Sequence, residues 1–420
     1  YYLSCVNNKE NILYKLSEVK LVVNGTGNIK LFSDNFLQTY NDFEIYLNDS
    51  FLNINKNELN FDFNSIFSSL NFIKIKWNET IISTKKMFEN CYNIIEIDLS
   101  QFDTSKVKDM SYMFNNCFSL TSLNLTNFNT SLVETINYIF SQCTSLKSLD
   151  LSNFETLKIN NMEAMFYNCT SLISLDLSNF NTSQVQNMKS MFYNCKKLNN
   201  LNLLNFDTSK VIRMGFMFYG CSSLESLDLS YFKTSTAQRM YAMFHGCSSL
   251  ISLDLSNFDT SNVNDMSSMF SGCANLKSLN LSNFDTTKVT NMLNMFYGCT
   301  NLISLDLSNF NTQDVKSMSH MFFKCQNLKT LNLSNFNTSK VTSMHAMFYE
   351  CSSLESLDLS NFDTSNVNET NSMFNRCTSL KYLNLSSFNT SGVKTMASMF
   401  SGCQNLISLD LSNFDTSKVT

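Results

Sequence analysis

A cysteine recurs every 26 residues from Cys91 to Cys403, thirteen times, without an insertion or a deletion. This register restricts the fold more than any other feature. A unit of that size cannot bury an apolar core alone, so each copy must stack on its neighbours in an open array. Two phenylalanine sets keep the same step, one through Phe88, Phe192 and Phe400, the other through Phe102, Phe180 and Phe414. Two columns of stacked rings are expected. Length then counts units rather than independent domains, and with no loop excursions any binding face is made of the coils themselves.

Within one unit, Ser174-Leu175-Asp176-Leu177-Ser178 alternates polar and apolar residues. That period of two predicts a strand with Leu175 and Leu177 inward and Ser174, Asp176 and Ser178 facing solvent. Thr182-Ser183 then offers an N-cap hydroxyl, and Val185, Met188, Phe192 and Cys195 follow at steps of three and four. The spacing predicts a short helix of about ten residues with one apolar stripe. The residue before the cysteine is Gly at 220, 246, 272, 298 and 402 and Asn at 90, 116, 168 and 194, which suits a left-handed helix end. Strand, helix and turn in 26 residues make a leucine-rich-repeat coil. The expected fold class is an α/β solenoid: a parallel strand sheet on the concave face, short helices behind it, and about thirteen coils over residues 86–420. At about 4.8 Å per strand the sheet would run roughly 60 Å.

Residues 1–85 lack the repeat and carry β-like runs at Val19–Val23, Phe43–Leu47 and Phe72–Trp77. Asn24-Gly25-Thr26-Gly27 is suited to a hairpin turn. This segment is expected to be a β-rich N-terminal cap over the open apolar end of the first coil. The chain begins at Tyr1 rather than Met, as a trimmed or mature fragment would, and stops at Thr420 partway through a unit, so the array is expected to be cut there or to run on.

The unit L-x-x-L-x-L-S-N-F-x-T-S-x-V-x-x-M-x-x-M-F-x-x-C, repeated over residues 85–420, resembles the 26-residue branch of the BspA-like leucine-rich-repeat surface proteins. The resemblance implies a secreted or cell-surface protein, extracellular in location, with an adhesin-like role in binding host or matrix components. It brings no catalytic residue with it.

A net charge of −5 with 15% charged residues argues against a nucleic-acid surface, and no apolar run is long enough for a membrane span. The even spacing of the cysteines lacks the C-x-x-C pairs of metal sites, and neighbouring thiols would point in parallel rather than at each other. Small buried core residues are the expectation. Cys5, outside the register, could pair with Cys91 or stay free. The outward row of the strands reads Asp98, Asn124, Asp150, Asp176, Asn202, Asp228, Asp254, Asn280, Asp306, Asn332, Asp358, Asn384 and Asp410. Interposed Asn relieves repulsion between stacked carboxylates and offers hydrogen bonds between coils. Calcium would need more converging oxygens than the adjacent pairs Asp150/Asp176 and Asp228/Asp254 supply. The Thr column through Thr104, Thr182 and Thr416 could order water against ice, but helix capping accounts for it without a ligand.

His245, His320 and His345 occupy different unit positions and suggest no catalytic constellation; no enzyme activity, cofactor or metal is expected. The methionines at 188, 214 and 240 read as core. Lys233, Ala237 and Leu204 break the pattern in consecutive coils and are candidates for a binding patch. The candidate binding residues are Ser174, Asp176, Ser178, Asp228, Asp254 and Asp306, facing a protein or glycan ligand. The alternative is a structural subunit of an extracellular coat or filament, its partner a further copy of the chain. Sequons are about as numerous as the Asn, Ser and Thr content gives by chance; those outside the repeats, at Asn24, Asn48 and Asn78, are the candidate glycosylation sites.

Overall fold

The computed structural model describes residues 17–24, 28–40, 42–52, 60–62 and 70–420; Cys5 and positions 25–27 of the expected hairpin turn lie outside them. In chain order come β1 (Ser17–Asn24), β2 (Asn28–Lys30), α1 (Asp34–Thr39), β3 (Phe43–Leu47), β4 (Ser50–Leu52), β5 (Asn60–Asp62) and β6 (Leu70–Trp77). The repeats contribute β7 (Ile94–Gln101), β8 (Ser122–Asn124), β9 (Ser174–Asp176), β10 (Asn200–Asn202), β11 (Ser304–Asp306), β12 (Thr330–Asn332), β13 (Ser356–Asp358) and β14 (Tyr382–Asn384). The three β-like runs read from the sequence fall in β1, β3 and β6. Among the described residues β1 pairs antiparallel with β6 and with β7, while β2 pairs with β5.

One sheet, in the order β4-β3-β6-β1-β7-β8, joins the N-terminal strands to the first repeats without a break. The core is continuous across that seam. Trp77 sits edge-on to Phe102 at 5.5 Å, and Phe32 packs on Phe88 at 5.4 Å. All four rings are at most 2% exposed, so the ring columns of the repeats end against a buried aromatic cluster instead of water.

Inside the repeats the inward strand positions are as expected, with Leu175 and Leu177 at 3% and 0% exposure. The helix is absent. Among the described residues the only α-helix is α1, so the molecule is a β-solenoid with turns in place of the helical layer, and the α/β assignment is corrected. The segment 188–195 is a string of overlapping turns: Met191 N–H donates to Met188 O at 3.2 Å, Tyr193 to Ser190 at 3.1 Å and Cys195 to Phe192 at 3.2 Å. The alternate N–H groups of Met188, Ser190, Phe192 and Asn194 donate to the next coil, at Arg213, Gly215, Met217 and Tyr219 O. Two left-handed residues per unit, here Ser190 (φ 57°) and Asn194 (φ 55°), make this possible, and both recur in all thirteen copies. No helix can pass through such residues. Successive turns nevertheless reproduce a three- and four-residue spacing, which is why Val185, Met188, Phe192 and Cys195 are all fully buried as the helical stripe required.

The stack is tighter on one side than the other. Rings at equivalent positions in successive coils measure the local spacing: 4.4 Å for Tyr193–Tyr219, 5.5 Å for Phe192–Phe218 and 6.4 Å for Phe206–Phe232. The coils therefore lie closer together at the Tyr193 column of the turn string than at the Phe206 column, which follows the strands. Where the coils are widest apart, side chains bridge the gap. Asn179 Nδ2 donates to Leu151 O at 3.0 Å and Phe154 O at 3.2 Å, and the Thr156 hydroxyl both donates to Asn181 O (2.9 Å) and accepts from Asn181 N–H (2.7 Å). The Thr column is thus an inter-coil bond rather than a helix cap. From Thr104 to Thr390 it is at most 2% exposed, which removes it from any ice-binding surface.

Candidate binding surfaces

The strand face presents the residues singled out in the sequence. Ser174, Asp176, Asp228, Asp254 and Asp306 are exposed and Ser178 is half-buried. Each carboxylate already has a local duty: Asp176 Oδ1 accepts the N–H of Ser178 at 2.9 Å, and Asp228, Asp254 and Asp306 do the same for Ser230, Ser256 and Ser308 at 2.9 Å. These bonds favour the ionised carboxyl and hold its pKa below the usual range. The row is an Asx-turn column that ends each strand, spread along the stack rather than converging on a point.

The single expected sheet is divided along this face. Parallel pairs form between β7 and β8, β9 and β10, β11 and β12, and β13 and β14. Each sets an Asp unit (98, 176, 306, 358) against a following Asn unit (124, 202, 332, 384). Asn124 Nδ2 donates to Asp98 Oδ1 at 2.9 Å. Neither Asp-to-Asp step, 150/176 or 228/254, carries a strand pair, and Asp254 raises the Asp228 pKa against the local hydrogen bonds, as like charges on one ladder should. The Asp254–Asn280 step and the Asn-to-Asp steps 124/150, 202/228, 280/306, 332/358 and 384/410 are unpaired as well, so like charge is not what divides the sheet. Beside the polar row stand exposed Ile173, Ile251, Ile303 and Ile407, which the sequence reading passed over because most other coils fill that position with Lys, Glu, Asn or Thr.

On the turn-string face the structure brings together an aromatic column that the sequence reading missed. Tyr167, Tyr193, Tyr219 and His245 stack at 4.6, 4.4 and 4.3 Å, and Tyr297, Phe323 and Tyr349 at 4.6 and 4.5 Å. The signal was a shared unit position, hidden by its filling with Glu, Asn or Ser in other coils. Burial pushes the Tyr193 hydroxyl up to about 12 and lowers the His245 pKa. His320 and His345 do not share a unit position, yet their rings meet edge-on at 4.7 Å, and His345 Nδ1 lies 3.0 Å from Asn371 O.

The thirteen register cysteines are unpaired, and twelve are fully buried. Each from Cys117 on donates Sγ–H to the carbonyl of a phenylalanine in the preceding coil, as Cys195 does to Phe166 O at 3.1 Å. Among the described residues no group of His, Cys, Asp or Glu has the arrangement to hold a metal, and no helix is long and apolar enough to cross a membrane. A groove beside β1 and β6 is lined by Lys20, Lys74, Glu18 and Asp49, whose charges are spent on one another, Lys74 to Asp49 at 2.9 Å and Lys20 to Glu18 at 3.7 Å. Asn24, Asn48 and Asn78 are exposed.

Compared with known proteins, the repeats match a family described as "Mycoplasma protein of unknown function, DUF285" over residues 82–201, 171–279, 265–382 and 355–420. Residues 28–134 match the BspA type leucine-rich repeat region. No curated protein sequence matches. Similar solved structures include a leucine-rich repeat protein from Bacteroides ovatus, 20% identical over 79% of this chain and 82% of that one, with a TM-score of 0.46. A leucine-rich cell surface protein from Faecalibacterium prausnitzii is 15% identical over 79% and 82%, TM-score 0.39. A leucine-rich repeat protein from Eubacterium ventriosum is 18% identical over 75% and 78%, TM-score 0.38.

Proposed function

The chain belongs to the BspA-like leucine-rich-repeat family, and from that premise we propose that it is a non-enzymatic, adhesin-like protein of the cell surface or extracellular space, binding a protein or glycan through its strand face. The observation that carries this reading is the preorganisation of that face. Its carboxylates are pinned by Asx turns and its hydroxyls stand on a stacked backbone, so binding immobilises few side chains. The exposed Ile173, Ile251 and Ile303 supply apolar anchors beside the polar row.

Two further assignments belong to the same reading. Residues 1–85 act as the cap of the array, and Asn24, Asn48 and Asn78 are glycosylated where the source cell has the machinery. The strand face is tested by measuring binding to immobilised matrix proteins and a glycan array, for the native chain and for the variant S174R/D176K/D254K. A loss of at least tenfold with an unchanged melting temperature is expected for the ligand found. Equal binding by the variant would sink the strand face as the site.

A further inference from the structure

We infer that the turn-string face carries a second binding site, around Arg213 and Arg239, for a saccharide bearing a carboxylate or sulfate. The two arginines occupy the same position in adjacent coils, joined backbone to backbone by parallel bridges. Both are exposed, and among the described residues neither forms an ion pair. The nearest carboxylate in the same column, Asp265 in the next coil, is held by the hydroxyl and N–H of Ser267 at 2.7 and 2.9 Å. Two exposed guanidiniums without an ion pair, on adjacent coils of one column, offer planar donor sets for a bound oxyanion.

The neighbouring residues depart from the repeat in a coordinated way. The position two residues on faces the same surface, as Asn187 shows by donating to Glu163 Oε2 at 2.9 Å. In the arginine coils that position holds Gly215 and Tyr241. A Cβ at Gly215 would lie 2.7 Å from the Tyr241 ring, so the glycine makes room for the ring to fold across the preceding coil. Tyr241 meets Phe216 edge-on at 4.8 Å, and Phe216 meets Tyr219 at 5.7 Å. Half-buried rings, fixed by one another and set beside two donors of positive charge, supply a flat apolar platform and an anion clamp together. A sugar ring with one acidic substituent matches both. A long polyanion matches less well, because the chain as a whole carries −5 and repels it at a distance.

The site is tested by calorimetric titration with a hyaluronan oligosaccharide and a short monosulfated chondroitin oligosaccharide, with cellohexaose and inorganic polyphosphate as comparisons. At least one acidic saccharide is expected to bind, with affinity reduced tenfold or more in R213A/R239A and reduced less in R213K/R239K, while cellohexaose does not bind. S174R/D176K/D254K is expected to bind as the native chain does, which separates this site from the strand face. Failure of both acidic saccharides to bind, equal binding by folded R213A/R239A, or polyphosphate binding as tight through the same arginines would each overturn the assignment.

Discussion

Thr208 uses one oxygen atom twice, donating to Lys233 O at 2.8 Å and accepting from Lys233 N–H at 2.8 Å. A buried hydroxyl satisfied in both directions is a stabilising contact of about 1 kcal/mol, repeated along the column. The thiols form a second column, and they couple it to pH. Burial pushes Cys117, Cys169, Cys221 and Cys299 up to about 12, whereas a thiol in the unfolded chain ionises near 8.5. Between those values the folded state holds more protons than the unfolded one, so stability falls as pH rises. Thermal midpoints measured from pH 7 to 11 should be level up to about pH 8 and then drop. A flat profile to pH 11 would mean that the thiols are open to solvent. The buried stripe from Val185 to Cys195 was fully legible at this scale, because burial follows from residue type and spacing alone.

At the scale of the element, the turn string is set by its two left-handed positions per unit. Gly246 occupies one of them at φ +70°, with the backbone of Gly220 3.5 Å from where a Cβ would stand. An alanine there keeps the space but not the conformation, so Gly246→Ala should cost about 1 kcal/mol, read as a lowered denaturation midpoint. No change would mean the backbone is free to leave that region. The Gly or Asn before nine of the thirteen register cysteines did mark a left-handed residue correctly, while Gln142, Lys324, Glu350 and Arg376 take the same conformation without that mark. The second such position, filled by Ser190, Phe216, Ala242 and His320, carries no compositional mark. Without it a string of turns and a helix have the same apolar spacing, and the helix was the wrong choice between them.

The whole molecule is a one-dimensional stack in which each coil sees only its neighbours, closed at one end by the cluster of Phe32, Trp77, Phe88 and Phe102. A chain shortened to begin at Ile82 should expose Phe88 and Phe102 and self-associate during size-exclusion chromatography. A monomer of unchanged melting temperature would count against the cap. What the sequence determined by itself was the period, the inward residues, the family and the polar strand row, since these depend only on which residues recur and how far apart they lie. Tertiary structure alone decided the division of the sheet into pairs, the fold of the Tyr241 ring over Gly215 and its edge-on meeting with Phe216. Those depend on differences of an ångström or two in coil spacing, and on which variable residues fall beside one another across a backbone separation of 26, which no local pattern records.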